Sequence, residues 1–143
     1  MRHSIAGAKL NRDSGHRKSL IRNQAKQLLA LGFMETTLAK GKLVMSTVEK
    51  LLNKAKDDSL HIKRQLRTVL NDTTLVNKTC ELAKNLKDKK TGMVKVVRLG
   101  SRRGDNTLMV RLELLAKLPE KIETKENNKT NAKEKTVKKD KVK

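Results

Sequence analysis

Residues 93–115 read MVKVVRLGSRRGDNTLMVRLELL, and this stretch decides what kind of fold the chain can adopt. Its first part, 93–99, is rich in β-branched residues, and in its last part, 107–115, apolar residues alternate with polar or longer ones. A period of two residues puts alternate side chains on opposite faces of a strand. Between the two parts lies 100–106, a basic loop containing two glycines. The stretch therefore predicts a β-hairpin.

Four stretches before the hairpin carry apolar residues at the three-and-four spacing of a helix. A fifth segment, 33–37, is short and rich in strand formers, so it is predicted to be a strand or an extended link. The predicted fold class is α+β, with a small mixed sheet that includes the C-terminal hairpin and is packed by about four helices. The first three helices are predicted over about residues 14–31, 38–56 and 59–70, and a fourth starts at Thr73 or Thr74 and runs through Leu86.

Short polar residues and glycine mark the ends of the first helix. A side-chain oxygen of Asp13 or Ser14 can accept an unpaired N–H of the first turn. Gly32 can enter the left-handed conformation that ends many helices. Gly41, early in the second helix, weakens the helix propensity of that region.

Composition divides the chain into three parts. Residues 1–14 are basic and lack apolar periodicity, which predicts an extended N-terminal arm. Residues 15–116 hold the helices and strands, and their length suits one compact domain. Residues 117–143 are rich in Lys and Glu, a composition that buries too little apolar surface to offset the entropy of ordering. This tail is predicted to be disordered in isolation.

The charge of the chain points to its partner. Lys and Arg number 35 against 15 Asp and Glu, a formal net charge of +20. A compact body with that charge repels itself, so a polyanion is the simplest partner, although a merely soluble basic protein is the alternative. Nucleic acid is favoured because each phosphate contact releases condensed counterions. Phe33 is the only aromatic residue, which argues against base stacking and in favour of contacts to phosphates and sugars.

Two basic segments are candidate RNA contacts. One is the arm with the helix that follows it, and the other is the hairpin tip with Arg102 and Arg103, where Asp105 can hold the loop by a turn hydrogen bond. Arginine suits phosphate because its planar fork can bond two oxygens. A solvated charge run and an ordinary polar hairpin tip are the alternatives. The predicted RNA-binding residues are Arg2, His3, Lys9, Arg12, His16, Arg17, Lys18, Arg22, Lys40, Lys42, Arg98, Arg102 and Arg103.

The sequence contains no convincing catalytic or metal-binding arrangement. His3 and His16 lie in the basic N-terminal region with Asp13 as the nearest carboxylate, and His61 is predicted on a helix surface. Cys80 is the only cysteine and lies on an apolar helix face, so a small core residue is the expected role. No cofactor, metal or enzymatic activity is predicted. The N-terminus lacks the apolar run of a secretory signal, and a soluble, cytoplasmic protein is expected.

Seven short motifs occur in order between Met1 and Leu115. They are MRH at 1–3, KLNR at 9–12, HR at 16–17, RN at 22–23, ETTLAK at 35–40, RGDN at 103–106 and EL at 113–114. In this order and with this spacing, the motifs resemble the bacterial large-subunit ribosomal protein seventeen family. The resemblance implies an α/β fold, contact with large-subunit ribosomal RNA and a peripheral position towards the tunnel-exit side of the subunit.

The chain departs from the family pattern at three places. Met93 and Lys95 lie where the family commonly has an aromatic residue and an arginine, which removes any stacking contact there. Gly41 replaces a preferred alanine, and the lysine-rich tail is longer than the minimal pattern. The basic arm is unaffected by these departures.

The leading interpretation is a structural constituent of the large ribosomal subunit. Its expected partners are large-subunit ribosomal RNA and neighbouring ribosomal proteins, with no membrane, no small-molecule substrate and no homo-oligomer. A DNA-binding protein of the nucleoid type is the alternative, but no recognition helix or dimer seam is evident. An RNA-processing enzyme and a peripheral membrane protein are less favoured, because neither a catalytic cluster nor an interfacial helix with aromatic anchors is visible.

Overall fold

A computed structural model describes residues 8–116, and the structural statements below concern that part of the chain. The predicted contacts Arg2 and His3 and the predicted tail at 117–143 lie outside it. The helices are α1 (Ser14–Leu31), α2 (Leu38–Ala55), α3 (Leu60–Leu70) and α4 (Thr73–Lys84), and the strands are β1 (Phe33–Thr37), β2 (Val94–Ser101) and β3 (Leu108–Leu114). The α+β class is confirmed.

Both ends of α1 are capped as the sequence predicts. The Asp13 carboxylate accepts a hydrogen bond from the backbone N–H of Gly15 at 3.0 Å, which satisfies one of the unpaired donors of the first turn. Gly32 adopts a φ of 81° and donates its N–H to the carbonyl oxygen of Leu28 at 2.8 Å. Because only glycine takes this conformation without a penalty, Gly32 ends α1 and turns the chain directly into β1.

The three strands form one sheet in the order β1-β3-β2, and both pairs are antiparallel. The expectation of a mixed sheet was therefore wrong in this detail. A short hairpin connection forces β2 and β3 to be antiparallel. The direction of β1 is not set by a tight turn, since three helices separate β1 from β2. The register, in which Phe33 pairs with Glu113 and Thr37 with Met109, shows that β1 also runs against β3.

The helices cover one face of the sheet and enclose a single apolar core. Alternate residues of β3, Val110 and Leu112, point into this core and lie opposite Thr36 and Met34 of β1. The hydroxyl of buried Thr36 accepts a hydrogen bond from the Gln24 amide at 3.0 Å, so its polar atom is satisfied. The largest fully buried apolar side chains are Leu28, Leu29, Leu52, Leu66, Leu70, Leu82, Met93, Leu112, Val44, Val48 and Val110.

Gly41 has a packing role that outweighs its poor helix propensity. It is buried, and a Cβ atom at this position would lie 2.9 Å from Cγ2 of Val110. A separation that short forces one of the two elements to move, and the β-branched Val110 has little rotamer freedom with which to yield. Glycine thus permits α2 to lie against the central strand β3.

The break between α3 and α4 lies where the third predicted helix ends and the fourth begins. Asn71 takes a left-handed φ of 54° at the end of α3, and the Asp72 carboxylate accepts the backbone N–H of Thr74 at 2.9 Å at the start of α4. The helix α4 ends at Lys84, two residues before the predicted end, although Leu86 is still buried. No helix within 8–116 is both long and apolar enough to cross a lipid bilayer.

One acidic side chain ties these two helices together. Asp58 bonds Lys63 of α3 at 2.8 Å and Lys84 of α4 at 2.6 Å. These bonds, Lys63 first, lower the pKa of Asp58 to about 2. Both lysines are therefore held by this carboxylate, whose single negative charge offsets one of their two positive charges.

Cys80 is a core residue, as predicted. Its side chain is buried on α4, and burial raises the pKa of its thiol. Because the thiolate is the reactive form, this shift makes the cysteine less reactive.

Candidate nucleic-acid interface

The described part of the basic arm is a tight turn. Leu10 and Asn11 have left-handed φ values of 54° and 49°, and the backbone N–H of Arg12 bonds the carbonyl oxygen of Lys9 at 3.2 Å. Two successive residues with positive φ closed by such a bond form a primed β-turn. The expectation of an extended arm was wrong for these residues, because the bonds described next fold the segment back onto α1.

The Arg17 side chain holds this turn in place. Its Nη1 atom donates to the carbonyl oxygens of Lys9 at 3.3 Å and of Arg12 at 3.2 Å. Arg12 adds a bond from its own Nη1 to the carbonyl oxygen of Leu10 at 3.1 Å. A guanidinium has five N–H donors, so both arginines keep donors for other ligands. The structure thus brings Lys9, Arg12 and Arg17 together at the start of α1.

The N-terminal half of α1 extends beyond the core. No described residue of α1 before Ala25 is buried. Lys18 and Arg22 lie in line with Ala25 and Leu29, because residues at spacings of four, seven and eleven share one side of a helix. They are exposed because no other element covers that end of the helix. His16 is exposed there as well.

The hairpin tip is closed by its own carboxylate, as the sequence suggested. Asp105 accepts two bonds from the Arg102 guanidinium, from Nε at 3.2 Å and from Nη2 at 2.5 Å, and a third from the backbone N–H of Thr107 at 3.3 Å. The Arg102 bonds, followed by those of Thr107, hold the pKa of Asp105 well below its usual range. The carboxylate therefore stays ionised, and it offsets the charge of Arg102 at neutral pH.

This ion pair distinguishes the arginines of the hairpin from one another. Arg98 and Arg103 are exposed, and within 8–116 neither forms an ion pair. The Arg102–Asp105 pair fixes the shape of the loop that carries Arg103. Of the two arginines at the tip, Arg103 is thus the one with an available charge.

The remaining predicted contacts lie on the first turns of α2. Lys42 is exposed and Lys40 is half-buried. Within the part of the chain that the structure describes, no hydrogen bond or ion pair joins the arm, α2 and the hairpin tip, which therefore present three separate groups of cations.

Sequence reasoning missed the role of Arg111, which lies in the middle of the uncovered face of the sheet. Its guanidinium carbon is 4.5 Å from the centroid of the Phe33 ring, and its Nε is 3.4 Å from a carboxylate oxygen of Glu113. The alternating pattern of β3 was the available signal, since it places Arg111 and Glu113 on the same face. The only aromatic ring is therefore partly covered by this arginine.

The titratable groups suited to catalysis are scattered. His61 is exposed on α3 and its Nε2 lies 2.8 Å from the Gln65 amide nitrogen. Within residues 8–116, no three His, Cys, Asp or Glu side chains lie close enough to hold a metal ion.

Comparison with known proteins decides the family. The sequence profile described as ribosomal protein L17 matches residues 20–115. The large ribosomal subunit protein bL17 of Rubrobacter xylanophilus is 40% identical over 116 residues, which cover 80% of this chain and 96% of that protein. The chain belongs to the ribosomal protein L17 family. The proteins of the same name from Thermotoga maritima and Thermus thermophilus are 40% and 41% identical, again over 80% of this chain and over 95% and 99% of theirs.

The matched region includes the whole described fold from the middle of α1 to the end of β3. It contains the hairpin tip and the α2 lysines but begins after the turn at 9–12. The resemblance inferred from the sequence motifs is confirmed. The individual contact residues remain predictions.

Proposed function

We propose that this member of the ribosomal protein L17 family binds large-subunit ribosomal RNA by placing cations on its phosphates. Membership of the family makes the chain a structural protein of the large ribosomal subunit, within the cytoplasmic ribosome. Its proposed contacts are the predicted cations of the arm, α1, α2 and the hairpin. We further propose that it contacts neighbouring ribosomal proteins and enters the subunit as a single copy, without enzymatic activity or a cofactor.

The observation that carries the proposal is the placement of exposed cations on fixed backbone. The arm turn is held by Arg17 and the hairpin loop by the Arg102–Asp105 pair, so Lys9 and Arg103 project from defined positions. Ordering these segments before binding reduces the entropy lost when they meet RNA. Phosphate contacts of this kind position a protein on a nucleic acid without reading its bases.

The difference between Arg102, which is paired with Asp105, and Arg103, which is not, provides a test. Replacing Arg103 with alanine should lower the slope of log affinity against log salt by roughly 0.7–0.9, the value for one lost phosphate contact. Asp105→Asn should raise the slope by about the same amount, because asparagine can still accept the Thr107 N–H but no longer offsets Arg102. The measurement is a filter-binding titration of purified large-subunit ribosomal RNA between 50 and 200 mM salt.

The two variants change the net charge by the same magnitude and in opposite directions, so each is a control for the other. Equal slopes for the wild-type chain and both variants would show that the hairpin does not contact phosphate. A steeper slope for Asp105→Asn with no effect of Arg103→Ala would show that Arg102 contacts phosphate and that Arg103 does not.

A further inference from the structure

The segment between α4 and β2 is fixed along one side of α2 by three side chains. The Glu49 carboxylate accepts the backbone N–H groups of Gly92 at 2.9 Å and Met93 at 3.2 Å. Asn53, one turn further along α2, donates to the carbonyl oxygen of Lys90 at 2.8 Å. These bonds attach the backbone of the loop to the helix at two successive turns.

Lys56 continues the same row. Its ammonium group bonds the carbonyl oxygen of Lys89. Residues 49, 53 and 56 follow the spacing of four and three that keeps side chains on one side of a helix. The loop is thus a defined part of the surface, although its sequence predicted only a polar turn.

The attached loop exposes a group of lysines. Lys87, Lys89 and Lys90 are all exposed, and Asp88 is the only acidic residue between Leu86 and Gly92. Lys89 and Lys90 accept hydrogen bonds through their carbonyl oxygens, which leaves their ammonium groups free to contact a ligand.

The adjoining face of α2 is also basic. Lys50 and Lys54 are exposed one turn apart, close to Asn53, and Lys42 lies three turns before Asn53. Glu49 is the only acidic residue of α2, and its carboxylate is used in holding the loop. None of these lysines takes part in an ion pair within 8–116, in contrast to Lys63 and Lys84, which share Asp58.

We propose that Lys50, Lys54, Lys87, Lys89 and Lys90 form a second phosphate-binding surface for ribosomal RNA, here named the lysine surface. The loop and the helix act as one unit because Glu49 and Asn53 hold them together. Lysine offers point charges on flexible stems rather than a bidentate fork, so the surface fits a phosphate backbone of any sequence. This inference rests on the proposed function and adds to it a contact made by residues outside the arm and the hairpin tip.

The test compares three pairs of lysines in the full-length chain bound to purified large-subunit ribosomal RNA. Lys50→Ala with Lys54→Ala removes the helix pair, and Lys89→Ala with Lys90→Ala removes the loop pair. Each should lower the salt slope by about 1.4–1.8, which corresponds to two lost phosphate contacts. Replacing the same residues with arginine should retain the wild-type slope, because the charge is kept.

Lys63→Ala with Lys84→Ala is the matched control. It also removes two positive charges, but from side chains that bond Asp58 and do not belong to the lysine surface, so its slope should fall by less than that of either test pair. A slope lowered equally by all three pairs would indicate a general effect of net charge and would overturn the proposal.

Two further outcomes separate this inference from the proposed function. If Arg103→Ala lowers the slope while the helix and loop pairs do not, the chain binds phosphate without the lysine surface, and only this inference fails. If the wild-type chain shows no salt-dependent binding, the proposed function itself fails. An unchanged slope with loss of the loop-pair variant from the large subunit would assign the surface to a protein neighbour and would also overturn the proposal.

Discussion

Replacing Arg12, Arg17 and Arg22 together with alanine is expected to lower the salt slope of ribosomal RNA binding by about 2–3. Three phosphate contacts would be lost, and each contributes roughly 0.7–0.9 to the slope. When the salt rises from 50 to 200 mM, the affinity of the wild-type chain should therefore fall by a factor about 20–40 times larger than the affinity of the variant does. The measurement is the same filter-binding titration.

The structure gives this variant a second effect. Arg17 bonds the carbonyl oxygens of Lys9 and Arg12, so its removal also releases the turn that presents Lys9. The control is lysine at all three positions. Lysine keeps the charges, but its ammonium group cannot bond two phosphate oxygens in the planar geometry that guanidinium offers. The lysine variant should retain the wild-type slope with weaker affinity. A wild-type slope for the alanine variant would show that the arm and α1 do not contact phosphate.

The second large effect concerns stability. Leu112 is fully buried at the centre of the sheet, opposite Met34 of β1 and Val96 of β2. Leu112→Ala shortens this buried side chain while the helices stay in place. A cavity then remains that the surrounding side chains cannot fully close. Such substitutions cost about 2–5 kcal/mol. For a domain of this size, the midpoint of thermal unfolding should fall by about 10–30 °C.

Leu108 provides a matched control on the same strand. It is the same residue type on the same face of β3, but it is 50% exposed, beyond the edge of the core. Leu108→Ala should therefore change stability by less than about 1 kcal/mol. Circular dichroism melts of both variants give the comparison. Similar melting midpoints for the two would contradict the assignment of Leu112 to the core.

Much of the fold is predictable because its signals are local. The alternation in β3 and the glycine-containing loop at 100–106 identify the hairpin from neighbouring residues alone. Likewise, Asp13 and Gly32 mark the ends of α1 through capping preferences that act within one turn. The pairing of β1 was less predictable: residues 33–37 could be a strand or a link, and the direction of this strand depends on packing across three helices.

The missed features depend on contacts between distant residues. The left-handed turn at Leu10 and Asn11 is held by Arg17, and nothing in its own residue types requires it. The attachment of the lysine loop joins Glu49 to Met93, which are 44 positions apart. Helical spacing did contain one overlooked signal, because Lys18 and Arg22 lie in line with Ala25 and Leu29. Their exposure, however, requires knowing where the core ends.

The contacts of the hairpin tip were predicted only in part. The sequence favoured a turn held by Asp105, and the structure shows that bond together with an ion pair to Arg102. Which arginine keeps an available charge could not be read from the motif RGDN. The difference between Arg102 and Arg103 depends on the conformation of the loop, which brings Asp105 to Arg102.

Sucrose-gradient fractionation of cell lysate at low salt tests the central claim most directly. The full-length chain, detected by antibody, is expected in the large-subunit and monosome fractions and absent from the small-subunit fraction. Raising the salt should release it progressively, because phosphate contacts weaken as counterions compete. Recovery of the chain only at the top of the gradient, at low salt, would contradict its assignment as a structural protein of the large subunit.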